Sequence, residues 1–172
     1  MTGVQTCALP IFGIINLPTA GSCVKRVDGF KKYLADNGSE LSIVSELNGM
    51  GKVDQGYKVA NDMLSANPDI IAIFCINDPC ALGAYRAVQE QEKTDEITVI
   101  GFDGSPKGKK GVFEKKLYDS PQQFPRKMAI ETVENFLRHQ KGDEIEKSVF
   151  LPCKHYFYED AANDKNRDGW GE

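Results

Sequence analysis

Four polar side chains stand where the sequence pattern turns from apolar strand to helix or linker. Arg26 falls early in a helical stretch, and Asn77 follows an apolar run at residues 70–76. Asp103 follows a second run at residues 97–102, and Gln123 lies in the linker Pro121-Gln122-Gln123-Phe124-Pro125. A guanidinium and a carboxylate supply charge-assisted hydrogen bonds. Each carboxamide offers donors and an acceptor together. That mixture suits the paired donor and acceptor character of sugar hydroxyls. No base, nucleophile or phosphate loop accompanies it, so the chemistry indicated is binding, without catalytic residues, metal ligands or a cofactor.

The elements that must hold these residues alternate regularly. Residues 12–16, 41–47, 70–76 and 97–102 read as strands, the last two almost wholly apolar. Between them, Val24, Val27, Phe30 and Leu34 recur at helical spacing, as do Val53, Tyr57, Ala60 and Leu64, and then Ala81, Leu82, Tyr85 and Val88. Asn37-Gly38 and Asn67-Pro68 end the first two helices. In Asn77-Asp78-Pro79, Asp78 reads as the N-cap and Pro79 as the first helical residue. The pattern predicts an α/β fold: a Rossmann-like parallel sheet with helices on both faces. In such sheets ligands bind outside the carboxyl ends of the strands, where Asn77 and Asp103 fall.

Further along, a helix is expected at residues 106–115 and a short strand at 117–119. Pro125 opens an amphipathic helix carrying Met128, Ala129, Val133, Phe136 and Leu137, ended by Lys141-Gly142-Asp143. Residues 149–151 and 155–158 read as extended, and the segment from Glu159 as a polar, mobile tail.

Composition narrows the classes. A hydrophobic share of 41% and a charged share of 27% are those of an ordinary globular domain. A net charge of −4 argues against nucleic acid as a partner. No apolar run approaches a membrane span. Cys23, Cys75, Cys80 and Cys153 match no zinc or redox spacing, and their disulfide state stays open. The basic, Gly-rich stretch at residues 104–111 lacks the spacing of a P-loop and reads as a turn and solvated helix start. His139 and His155 pair with no nucleophile in the sequence, and Asn37-Gly38-Ser39, though a glycosylation sequon, reads as a turn. Asp164-x-Asn166-x-Asp168-Gly169 opens like a calcium loop, but the chain ends at Glu172, before the bidentate position, so a polar tail is the expectation.

Residues 1–11, Met-Thr-Gly-Val-Gln-Thr-Cys-Ala-Leu-Pro-Ile, resemble the in-frame translation of a sequencing-library adapter. They are set aside from fold reasoning, Cys7 with them. The natural chain is then expected to begin upstream, with the residues from Phe12 onward as its C-terminal piece.

Five motifs follow one another: Arg26-x-x-Gly29-Phe30, Asn67-Pro68-Asp69, Asn77-Asp78-Pro79-x-Ala81-Leu82-Gly83-Ala84, Ile100-Gly101-Phe102-Asp103-Gly104 and Gln123-x-Pro125. In order and spacing the chain resembles, over residues 13–150, the type I periplasmic binding proteins of sugar ABC transporters, the ribose-binding group. The resemblance implies two α/β lobes joined by three crossings, with a monosaccharide trapped between them. It implies that Arg26, Asn77, Asp103 and Gln123 hydrogen-bond the sugar. Residues 12–122 would form the C-terminal lobe, and 123–148 a linker and helix returning to the N-terminal lobe. Residues 149–158 would cross back, and 159–172 would be the tail. A non-enzymatic, periplasmic or lipid-anchored extracellular protein is implied, monomeric at full length, delivering a sugar to an ABC permease. Many relatives carry an aromatic where this chain has Met50 and Gly51. The alternative is the effector-binding domain of a lac-repressor-like regulator, which shares the fold. Gly104-x-Pro106 and Glu114-Lys115-Lys116-Leu117 resemble the transport branch more, and the Leu-Thr-Thr stretch typical of repressors is missing.

Overall fold

Apolar runs at residues 11–16 and 70–75 become the two central strands of a parallel sheet. The computed structural model describes residues 10–167 and 169. Its strands are β1 (Ile11–Asn16), β2 (Ser42–Asn48), β3 (Ile70–Cys75) and β4 (Thr98–Ile100), in the order β2-β1-β3-β4, all parallel. Ile14, Ile15, Ile73 and Cys75 are fully buried, as strands covered on both faces require. At the edge, β2 alternates exposed and half-buried residues. Asn16 pairs with Asn48, Ile15 with Cys75 and Phe74 with Ile100, so the carboxyl ends of all four strands share one edge.

Among the described residues six helices accompany the sheet: α1 (Gly21–Asp36), α2 (Val53–Ala66), α3 (Asp78–Glu90), α4 (Pro106–Phe113), α5 (Pro125–Gln140) and α6 (Tyr158–Asn163). Successive strand residues point to opposite faces. On one face Phe12 and Phe74 of the sheet flank Phe30 of α1, with ring centroids 5.6 and 5.0 Å apart. On the other, Gly13 leaves room for Met63 of α2. Helices α2 and α3 pack closely because glycines meet backbone. A Cβ at Gly83 would strike the Val53 carbonyl, and one at Gly56 the Cys80 backbone.

The structure departs from the sequence reading in several places. Asn77, not Asp78, caps α3: its backbone is extended and its side chain accepts from Cys80 N–H. Asp78 is the first helical residue, because partners distant in sequence satisfy its carboxylate. The fourth strand covers Thr98–Ile100 only. No strand forms at 117–119. Tyr118 N–H donates to Val99 O and Asp119 O accepts from Gly101 N–H, so this segment lies along β4 without regular pairing. The fourth helix ends at Phe113, and Lys115 turns the chain at φ 57°. Residues 149–151 join no strand, and of the stretch near 155 only an isolated Gln122–Lys154 bridge forms.

The segment from Glu159 opens as helix, not tail. In α6, Ala161 is buried, the Tyr158 ring stacks on Phe113 of α4, and Asp160 accepts from the Phe157 N–H. Ile11, grouped with the leader, is the first residue of β1, while residues 1–9 lie outside the described residues. Helix α5 buries no residue and leaves Val133, Phe136 and Leu137 exposed. Among the described residues no helix is long and apolar enough to cross a membrane.

Candidate functional site

Arg26 lies in the second turn of α1, reaching over the carboxyl edge of the sheet. Its Nη1 lies 3.1 Å from Asp103 Oδ1 and also donates to the Ile76 carbonyl at the end of β3. Its guanidinium carbon sits 4.0 Å above the centre of the Phe102 ring, a cation–π geometry. Only 12% of the Arg26 side chain is exposed. Gln123 Nε2 donates to the same Asp103 oxygen at 2.7 Å. Backbone bonds tie the two segments as well: Asp103 N–H donates to Pro121 O at 3.0 Å, and Gln123 N–H to Asp103 O at 2.9 Å.

Asp103 has φ 114°, a backbone conformation rare for a residue with a Cβ. Such strain persists only where surrounding bonds over-determine it, and it concentrates at functional sites. Burial pushes the Asp103 carboxyl above the usual carboxylate range, while Arg26 and then Gln123 pull it back.

Asn77 stands on the same edge with both ends of its amide engaged. Oδ1 accepts from Cys80 N–H at 3.0 Å, and Nδ2 donates to Gly51 O at 3.1 Å. The structure therefore joins Arg26, Asp103 and Gln123 in one bonded cluster. Asn77 is linked to it through its neighbour Ile76, whose carbonyl Arg26 binds, while its own amide bonds to Gly51 and Cys80. Met50 and Gly51 turn the chain beside it at φ 53° and 68°, and Met50 is half exposed.

Sequence reasoning missed the support beneath the cluster. Asp78 is completely buried; Oδ2 accepts from Ser105 N–H at 2.8 Å and Oδ1 from the Ser120 hydroxyl. Ser120 Oγ in turn accepts from Gly104 N–H at 3.0 Å. Phe102, which supports the Arg26 guanidinium, has its place in the Gly-Phe-Asp-Gly run as its one sequence signal.

Other candidates lead away from this edge. The described cysteines are free thiols; burial pushes Cys80 up to about 11, which leaves it unreactive. No group of three potential ligands that could hold a metal occurs among the described residues. His155 pairs with buried Asp119. In the calcium-like run, Asp164 accepts from the Tyr156 hydroxyl and Asn166 N–H. Asp168 and Glu172 lie outside the described residues. A 580 Å³ cleft bordered by Tyr85, Val112, Leu117, Tyr118 and Phe157 contains none of the four candidate residues.

A family model for a periplasmic binding protein domain matches residues 11–144. The ribose import binding protein of Salmonella typhimurium is 39% identical over 130 residues, covering 76% of this chain and 43% of its own length. An HTH-type transcriptional regulator, MalR of Clostridium butyricum, is 31% identical over 144 residues, covering 81% of this chain and 42% of its own. Among solved structures, an ABC transporter periplasmic solute binding protein from Actinobacillus succinogenes with bound D-allose superposes with a TM-score of 0.83. It is 26% identical, covering 90% of this chain and 54% of that one. The chain thus spans less than half the length of the curated relatives it matches.

Proposed function

The chain belongs to the periplasmic binding protein domain family, and from that premise we propose that it forms the sugar-gripping lobe of an ABC-type sugar importer's solute-binding protein. In this reading Arg26, Asp103 and Gln123 supply a pre-aligned set of donors and acceptors, and Asn77 flanks them. The single observation that carries it is that set: three polar side chains bonded to one another at the carboxyl edge of a parallel sheet. A cluster held in place by its own bonds is ready to exchange them for sugar hydroxyls with little reorganisation. Residues 12–122 serve as the body of the lobe, completed by Ile11 at the start of β1 and by α6 packed on α4; residues 123–148 return to a second lobe, and the segment from 149 crosses back. Closure of the two lobes around the sugar is biased by contacts made only in the closed state.

The relatives support, as the substrate class in this reading, an aldose such as ribose or allose, which the protein passes to a membrane permease outside the cytoplasm. The protein acts as a monomeric binding component, without nucleic acid and without turnover. Calorimetric titration of the two-lobed protein with ribose, allose and other monosaccharides tests this. Saturable binding, lost in Asp103→Ala, is expected; no binding to any monosaccharide overturns it.

A second reading has one observation in its favour, the regulator relative. As an effector-binding domain the same edge would still take a small ligand. Sequencing upstream decides between them: a signal peptide supports transport, a helix-turn-helix supports regulation.

A further inference from the structure

Asp78 sits at the crossroads of three chain segments. It begins α3, one residue after Asn77. Its Oδ2 holds the Ser105 N–H in the loop that carries Asp103, and its Oδ1 holds Ser120 in the linker that carries Gln123. Ser120 also receives the Gly104 N–H, so the two amides following Asp103 are both pinned, one directly and one through a hydroxyl. Gly104 itself has φ 63°, so two left-handed residues stand in succession. Gly101 and Gly108 give the carboxylate its room: a Cβ on either would press on its oxygens. The carboxylate is thus buried with each oxygen accepting a bond, and no surface reaches solvent.

We propose that Asp78 is a positioning residue for ligand binding: its buried carboxylate holds Asp103 in its left-handed conformation and ties the Gln123 linker to it. This deepens the reading of Arg26, Asp103 and Gln123 as the sugar-contacting set and rests on it. A cap alone would need only a single acceptor near the helix start, and Asn77 already supplies that. Asp78 instead bonds 27 and 42 residues away. Asn cannot replace it without loss. Asn keeps one acceptor oxygen for the Ser105 N–H and turns the other into a donor; the Ser120 hydroxyl can accept from it only by turning its own proton away from this acceptor, which replaces a charge-assisted O–H···O⁻ bond by a weaker neutral one.

The test uses Asp78→Asn, Ser120→Ala and Asp103→Asn in the full-length protein that carries these residues. Amide exchange is followed by NMR, and ribose and allose titrations by calorimetry. In Asp78→Asn, exchange at Gly104 and Ser105 is expected to accelerate about tenfold or more relative to Ile73 and Phe74, with affinity falling by a similar factor. In Ser120→Ala, Gly104 accelerates while Ser105 stays protected. In Asp103→Asn, affinity is lost while both amides stay protected. Equal acceleration of all amides in Asp78→Asn, or none, overturns the proposal, because the residue then serves only global stability or nothing. Should Asp78→Asn fail to fold, the Ser120→Ala pattern decides. Should the parent bind no monosaccharide, the sugar reading falls, while the exchange pattern still decides the role of Asp78.

Discussion

Arg26 spends its guanidinium on three neighbours at once: the Asp103 carboxylate, the Ile76 carbonyl and the face of the Phe102 ring. A Lys at this position keeps the charge but loses the planar fork and the stacking face. Arg26→Lys is therefore expected to weaken sugar binding by roughly 10- to 100-fold, the worth of one or two charge-assisted bonds, as read by calorimetry. Asp103 yields a prediction with a definite sign. Burial raises its folded-state carboxyl above the value of about 3.9 expected in the unfolded chain. The associated stabilisation is complete below that unfolded value and disappears as pH rises through the folded one. Urea unfolding of the parent and of Asp103→Asn should show the parent losing stability relative to the variant across that window. A parent that gains relative stability as pH rises would contradict this. Sugar affinity should run the other way, falling with acid, because the ionised carboxylate is the better acceptor. Asp103 and Gln123 could be singled out from the sequence because they stand at element junctions, and Arg26 because it falls early in a helix; their meeting in one bonded cluster is what the structure adds. The role of Asp78 was not legible there: Ser105 and Ser120 lie too far along the chain for any local pattern to reveal them.

Helices α2 and α3 expose a conflict between local preference and packing. Gly is about 1 kcal/mol worse than Ala inside a helix, so propensity alone favours Gly83→Ala. A Cβ there, however, would run into the Val53 carbonyl and the Tyr57 amide, which belong to backbone and cannot rotate aside. Overpacking of this kind costs about 1–3 kcal/mol, and against fixed backbone the upper end applies. A net loss of about 1–2 kcal/mol is expected in urea unfolding; an increase in stability would mean that the two helices can separate freely. At this scale the sequence was most readable where apolar runs were long. Residues 70–75 and the three helices flanking the sheet follow directly from periodicity. What escaped were elements made by neighbours. Helix α6 has the sequence Tyr-Glu-Asp-Ala-Ala-Asn, with no apolar stripe, and exists because Ala161 and Tyr158 dock on α4. The segment at 117–119 alternates like a strand, yet β4 is too short to give it a ladder.

Across the whole molecule, stability is unevenly distributed. The sheet and its flanking helices share one buried cluster that reaches from Ile14 to Ala161. Helix α5 stands outside it, with no buried residue and with Met128, Val133, Phe136 and Leu137 facing solvent. Its length of 16 residues is marginal for a helix without tertiary support. Limited proteolysis of residues 1–172 should therefore cut first between 124 and 150, while the segment from Ile11 to Pro121 resists. The same imbalance bears on binding. Small-ligand sites enclose about 70–90% of the ligand surface. A cluster lying on the open edge of one sheet can cover only one side of a monosaccharide. Residues 1–172 alone should bind ribose or allose at roughly millimolar strength or weaker. Micromolar affinity in a calorimetric titration of this chain would show that the edge needs no opposing wall. Protection of α5 from protease in the same preparation would show that its apolar stripe is already covered. The two results together separate a lobe that acts by itself from one whose grip depends on closure, since closure needs both a second wall for the sugar and a surface for α5.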